Sequence, residues 1–197
     1  MIDPYKLKAR AYQCACEHGF HETEHYDSFY LALIMSEIGE AINADRHDIH
    51  ADLTKFKTIM RHPLSTNPTF CDVPLTKKFK FRDSFDELIK DTVEDELADI
   101  AIRILDLAGL RDYDVSCYFR TLDSVGFHII TGLSFADYCF NMFGTLSNFE
   151  KDTEGKLIDA MDLLCLYCYG EGINIIKHIN LKMKYNEMRP KLNGKKY

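Results

Sequence analysis

The chain lacks most of the signals by which a sequence declares its class. No run of eighteen apolar residues occurs; stretches such as Tyr30–Met35 and Leu163–Tyr169 are too short to cross a bilayer. The opening Met1-Ile2-Asp3-Pro4 lacks the basic-then-apolar order of a secretion signal, so a soluble, cytoplasmic protein is expected. There is no Walker A loop, no Rossmann glycine pattern and no G-x-S-x-G elbow. No segment reads firmly as a sheet, and no internal repeat or low-complexity tract is visible. Basic charge is also short. With 31 acidic against 24 basic residues the net charge is −7, which argues against a partner that is a nucleic-acid polymer. A small anionic substrate stays open, because a bound divalent cation inverts the local field.

What is present points to one ordinary globular domain. The 197 residues are 46% hydrophobic and 28% charged, enough for a core without covalent staples. Seven cysteines, an odd number, do not suggest a disulfide framework. Cys165-x-x-Cys168 has zinc-site spacing. It lies within Leu163-Leu164-Cys165-Leu166-Tyr167-Cys168 with no second pair at a plausible distance, and reads as core.

Helical periodicity runs through the chain. Helices are predicted from Pro4 to about His18 with Gly19 as stop, from Asp27 or Ser28 to Asp45, and from Ser84 to Ala108. The third opens on a capping-box pattern, Ser84-x-x-Glu87, and closes at Gly109. Shorter or broken helices are expected over 112–122 and 123–147, the latter interrupted by Gly126 and Gly132, then over 153–169 and 173–189. Pro63, Pro68 and Pro74 mark an irregular excursion near 48–82, in which Thr69–Lys80 alternates weakly enough for a small hairpin. The fold class that follows is all-α, an antiparallel helical bundle with a long, partly irregular insertion.

Two motifs carry chemistry: Glu37-Ile38-Gly39-Glu40 and Glu96-Leu97-Ala98-Asp99. Residues three apart on a helix project from one side. The first pair shares its stripe with Tyr30, Leu33, Ile34, Ala41 and Ala44, the second with Ile89, Val93, Ile100 and Leu107. Acids on apolar stripes are withdrawn from water, at a cost of several kcal/mol unless they are paired. Four converging carboxylates suit Mg²⁺, or Mn²⁺. Asp91, Glu94 and Asp95 are assigned to the solvated face or to the surroundings of the site.

On these residues the chain resembles the all-α nucleoside triphosphate pyrophosphohydrolases, which include MazG-like and dimeric dUTPase-like enzymes. Their signature, E-x-x-E on one helix and E-x-x-D on the next, is matched by Glu37, Glu40, Glu96 and Asp99. The ending Lys182-Met183-Lys184-Tyr185-Asn186-Glu187-Met188-Arg189-Pro190 is similar to the K-x-x-x-N-x-x-R-P close of MazG-like proteins. Lys182, Asn186 and Arg189 are then expected on one helical face, where two cations and an amide suit triphosphate oxygens. The resemblance implies a bundle binding Mg²⁺ through the four acids, acting on a (deoxy)nucleoside triphosphate to give monophosphate and pyrophosphate, and working as a homodimer. The motif matches cover about 26–46, 92–108 and 178–196. One departure is length: 55 residues separate Glu40 from Glu96, more than the family uses. The alternative function is a non-catalytic bundle that binds or senses a nucleotide. Base, sugar, general base and the phosphorus attacked all stay open.

Other patterns carry less. His47 and His50 flank Asp48 in a polar context and read as solvated. Glu22-x-x-His25 has no second copy, as a di-iron bundle would need. The aromatics of 113–149 read as core.

Overall fold

The computed structural model describes residues 2–62, 76–123 and 133–194. Their order is α1 (Pro4–Glu17), α2 (Asp27–Arg46), α3 (Leu53–Arg61), α4 (Lys77–Leu88), α5 (Val93–Leu110), α6 (Arg120–Asp123), α7 (Phe135–Ser147), α8 (Thr153–Gly170) and α9 (Ile175–Asn186), closed by a 3₁₀ turn, Lys191–Gly194. No strand occurs among the described residues. None of the helices is long and apolar enough to cross a membrane.

Local chemistry sets most boundaries. Asp3 accepts from the Lys6 N–H ahead of Pro4, which needs no donor at the first turn, and Gly19 leaves α1 in the left-handed region (φ 81°). Asp27 does not cap α2. Its carboxylate accepts from Arg111 Nε (2.7 Å) and from Thr153 Oγ1 (2.6 Å), tying α2 to the end of α5 and the start of α8.

The single helix expected over Ser84–Ala108 is two. Asp91 takes a left-handed φ of 60°, and Thr92 starts α5 afresh by accepting from the Asp95 N–H. Ser84 is buried inside α4 rather than capping it, and Glu87 turns outward to Lys55. The cap of α4 is Thr76. Gly109, read as a stop, lies within α5. A Cβ there would stand 2.6 Å from Tyr12 Cβ, so the glycine lets α1 approach. The helix expected over 112–122 is reduced to the single turn α6, and α9 ends at Asn186 rather than Arg189.

The excursion near 48–82 is more regular than its prolines suggested. α3 and α4 pair with each other and stack Phe56, Phe81 and Phe85 against Tyr185 of α9, where the Phe85 and Tyr185 rings lie 4.4 Å apart. Of the hairpin considered over Thr69–Lys80, 77–80 are helical and 69–75 lie outside the described residues, as do Gly126, Gly132 and the rest of 124–132.

α5 is the central helix: α1, α2, α8 and α9 all pack on it, while α7 and α8 form an outer pair with α7 resting on α2. Ile34, Ile38, Leu97, Ile100, Ile104, Leu105 and Leu107 are fully enclosed at this junction. Each such side chain contributes about 2 kcal/mol on burial. That surplus offsets the cost of the acids the same helices carry inward. Cys165 and Cys168 are buried in this core, as their apolar context indicated.

Candidate metal and phosphate site

The stripe that buries Ile34 on α2 also buries Glu37, and the stripe that buries Ile100 on α5 brings in Glu96 and Asp99. Glu37 and Glu96 are buried and Asp99 is half-buried; the three offer carboxylate oxygens within 4.8 Å of one another. Glu40 is not part of this group. It is exposed at the rim, close enough that its charge helps push Glu37 up, behind the larger effect of burial. Glu96 and Asp99 have the same three-residue spacing and stay together, so spacing alone does not separate Glu40 from Glu37; Glu40 lies where the α2 surface faces solvent.

Of the two places open to Asp95, the solvated face and the surroundings of the site, the structure gives the second. Asp95 is among the most enclosed acids of the chain, and its Oδ2 accepts from Lys182 Nζ at 2.6 Å. Lys182 also reaches Asp99 at 2.8 Å. Glu94 turns inward too, accepting from the Ala51 N–H and pairing with His50, while Asp91 is exposed. Arg103, which the sequence reading passed over, forks Nε and Nη2 onto Glu37 Oε1. It stands four residues from Asp99 and seven from Glu96. A cation repeating on an acid stripe at helical spacing was the available signal.

The electrostatics are unbalanced. Four carboxylates (Glu37, Asp95, Glu96, Asp99) face two cations (Lys182, Arg103), leaving a formal charge of −2. Burial, reinforced by Asp99, pushes Glu96 up to about 8, and burial takes Asp95 to about 7 despite Lys182. Burial alone would lower Lys182; Asp99 and Asp95 outweigh it and hold the ammonium above its ordinary value. One ammonium shared by several acids stays charged while the acids remain short of positive charge. Glu96 Oε2 and Asp95 Oδ1 are buried with no hydrogen-bond partner. Orphaned carboxylate oxygens, an all-oxygen donor set and more acids than cations fit Mg²⁺ or Mn²⁺, with Glu37, Glu96 and Asp99 as the holding residues.

A cavity of roughly 210 Å³ opens from this centre, with Glu37, Asp99 and Arg103 in its wall. The stripes continue along it: Leu33, Tyr30 and Phe29 from α2, Asp106 from α5. His25 stacks on Phe29 at 4.0 Å, and Asp106 pairs with His21 at 2.8 Å. Asn186 and Arg189 line the cavity, and Asn186 Oδ1 is buried without a partner.

The expected clamp is therefore divided. Asn186 ends α9, Arg189 follows in the next turn, and both border the cavity. Lys182, one turn earlier, points into the acids.

No protein-family model matches the chain, and neither a curated protein nor a solved structure does.

Proposed function

We propose that the protein hydrolyses a (deoxy)nucleoside triphosphate to the monophosphate and pyrophosphate in a Mg²⁺-dependent reaction, as a MazG-like pyrophosphohydrolase. One observation carries this: Glu37 and Asp99 of the acid triad open onto the same cavity as Asn186, Arg189 and the His25–Phe29–Tyr30 cluster. A site for a divalent cation, an amide and a guanidinium suited to phosphate oxygens, and aromatic faces suited to a nucleoside share one concavity.

Glu37, Glu96 and Asp99 hold the divalent cation, and Lys182 with Asp95 fixes the orientation of Asp99 from behind. A cation held there supplies positive charge against the triphosphate and Lewis acidity toward water. Asn186 and Arg189 orient the phosphate chain so that water attacks a phosphorus and the P–O bond to pyrophosphate breaks. A carboxylate of the cluster takes the water's proton.

The test is pyrophosphate release from each of the common dNTPs and NTPs, with Mg²⁺ and with EDTA. Release that EDTA abolishes is expected for at least one; none from any of them sinks the proposal. The exposure of Glu40, which leaves three of the four motif acids turned inward, favours a second reading as a nucleotide-binding bundle without turnover. Nucleotide-dependent stabilisation with no pyrophosphate released selects that reading.

A further inference from the structure

We propose that Arg103 is a substrate-phosphate ligand that occupies Glu37 in the resting protein and is released to the triphosphate when a divalent cation takes Glu37. This rests on the pyrophosphohydrolase reading above and adds to it a residue outside the motifs that suggested it. Nε and Nη2 of Arg103 both converge on Glu37 Oε1. The two partners differ in access: the Glu37 side chain is 3% exposed and that of Arg103 is 26% exposed. The acid is fixed in the wall of the bundle, while the guanidinium stands at the cavity surface beside Asp99 and one turn from Asp106.

Glu37 serves two positive charges. As a member of the triad it faces a cation site with Glu96 and Asp99, and its Oε1 is already engaged by Arg103. A divalent cation that arrives alone must share or take a carboxylate already paired with a half-buried guanidinium, and two positive charges drawn to one acid repel each other in a low-dielectric site. A cation that arrives with a triphosphate brings the replacement, because phosphate oxygens match the planar fork of an arginine. Arg103 stays anchored on α5 about 6 Å along the helix axis from Asp99, the reach of a phosphate joined to an ion at that acid. Metal and triphosphate therefore bind cooperatively, and by linkage each strengthens the other by the same factor.

A merely structural counter-ion would behave differently, and two measurements separate the roles. The first is Mn²⁺ binding to the nucleotide-free protein, followed by titration calorimetry on the wild type, R103M and R103K. The second is binding of the α,β-imido analogues of the deoxy- and ribonucleoside triphosphates at saturating Mg²⁺. With the competitor removed, R103M should bind Mn²⁺ alone about tenfold tighter and the best analogue about tenfold weaker, a typical coupling between linked sites. R103K, which keeps a charge but not the fork, should fall between on both axes and guards against a folding defect. Tighter Mn²⁺ with unchanged analogue affinity makes Arg103 a counter-ion only and overturns the proposal, as does unchanged Mn²⁺ affinity in R103M. If the wild type binds the analogues and R103M binds them equally well, only the assignment of Arg103 falls. If the wild type binds none of them, the pyrophosphohydrolase reading falls and this proposal with it.

Discussion

Replacing Glu96 by Gln tests the acid centre through stability, with no need to know the substrate. Glu96 is 4% exposed, its Oε2 has no partner, and burial raises it from an ordinary 4.5 to about 8. A raised carboxyl favours the folded state while it is protonated, so this contribution is whole below about pH 4.5 and is lost as pH rises through about 8. At ~1.4 kcal/mol per tenfold change in ionisation, the metal-free wild type should lose about 2 kcal/mol through this group between about pH 6 and pH 8. Glutamine keeps the shape and has no proton to lose. Urea denaturation of both proteins in EDTA should show the stability gap moving toward E96Q by about 2 kcal/mol across that range, titrations remote from the acid centre cancelling between them. Mg²⁺ at about a hundred times its dissociation constant should then return ~2.7 kcal/mol to the wild type, and much less to E96Q. A gap that does not change with pH, or equal Mg²⁺ stabilisation of both proteins, refutes the reasoning.

Four further outcomes are expected. Asp99→Asn should cut turnover by at least about a hundredfold with the fold retained; a purified variant with unchanged kcat would remove Asp99 from the centre. Lys182→Met leaves Asp95 and Asp99 facing each other without their ammonium and should cost about 3–5 kcal/mol of stability. Adding Asp95→Asn should recover a large part of it, and simple additivity in urea melts would show that the two do not act as a pair. Arg189→Ala should raise KM for a triphosphate about tenfold and affect binding of a monophosphate inhibitor less; equal weakening of both would place Arg189 outside the phosphate path. Light scattering should give a mass near twice the 22.8 kDa of the chain, and a mass near 22.8 kDa would leave a self-contained single-chain bundle.

The all-α class was legible because amphipathic periodicity is a local property, and so was the inward aim of Glu37, Glu96 and Asp99, since each lies on the stripe that the apolar residues also define. Ends that depend on one residue were read correctly where that residue had no competing partner: Pro4 and Gly19 punctuate α1 as their types suggest. Asp27 and Ser84 have capping chemistry as well, yet tertiary packing gives Asp27 an arginine and a threonine and encloses Ser84 in a helix that began earlier. The break at Asp91–Thr92 depends on a left-handed residue that no glycine announced. Charge partners were the least visible. A stripe shows that Asp95, Arg103 and Lys182 share a face with something, but not with what. Only the packing of α2 and α9 on α5 decided that Lys182 serves two acids instead of the cavity, that Arg103 meets Glu37, and that Glu40 turns to solvent. The physical reason is range: helix formation is set within a few residues, whereas the pairing of a buried charge is set by whichever opposite charge a distant helix delivers.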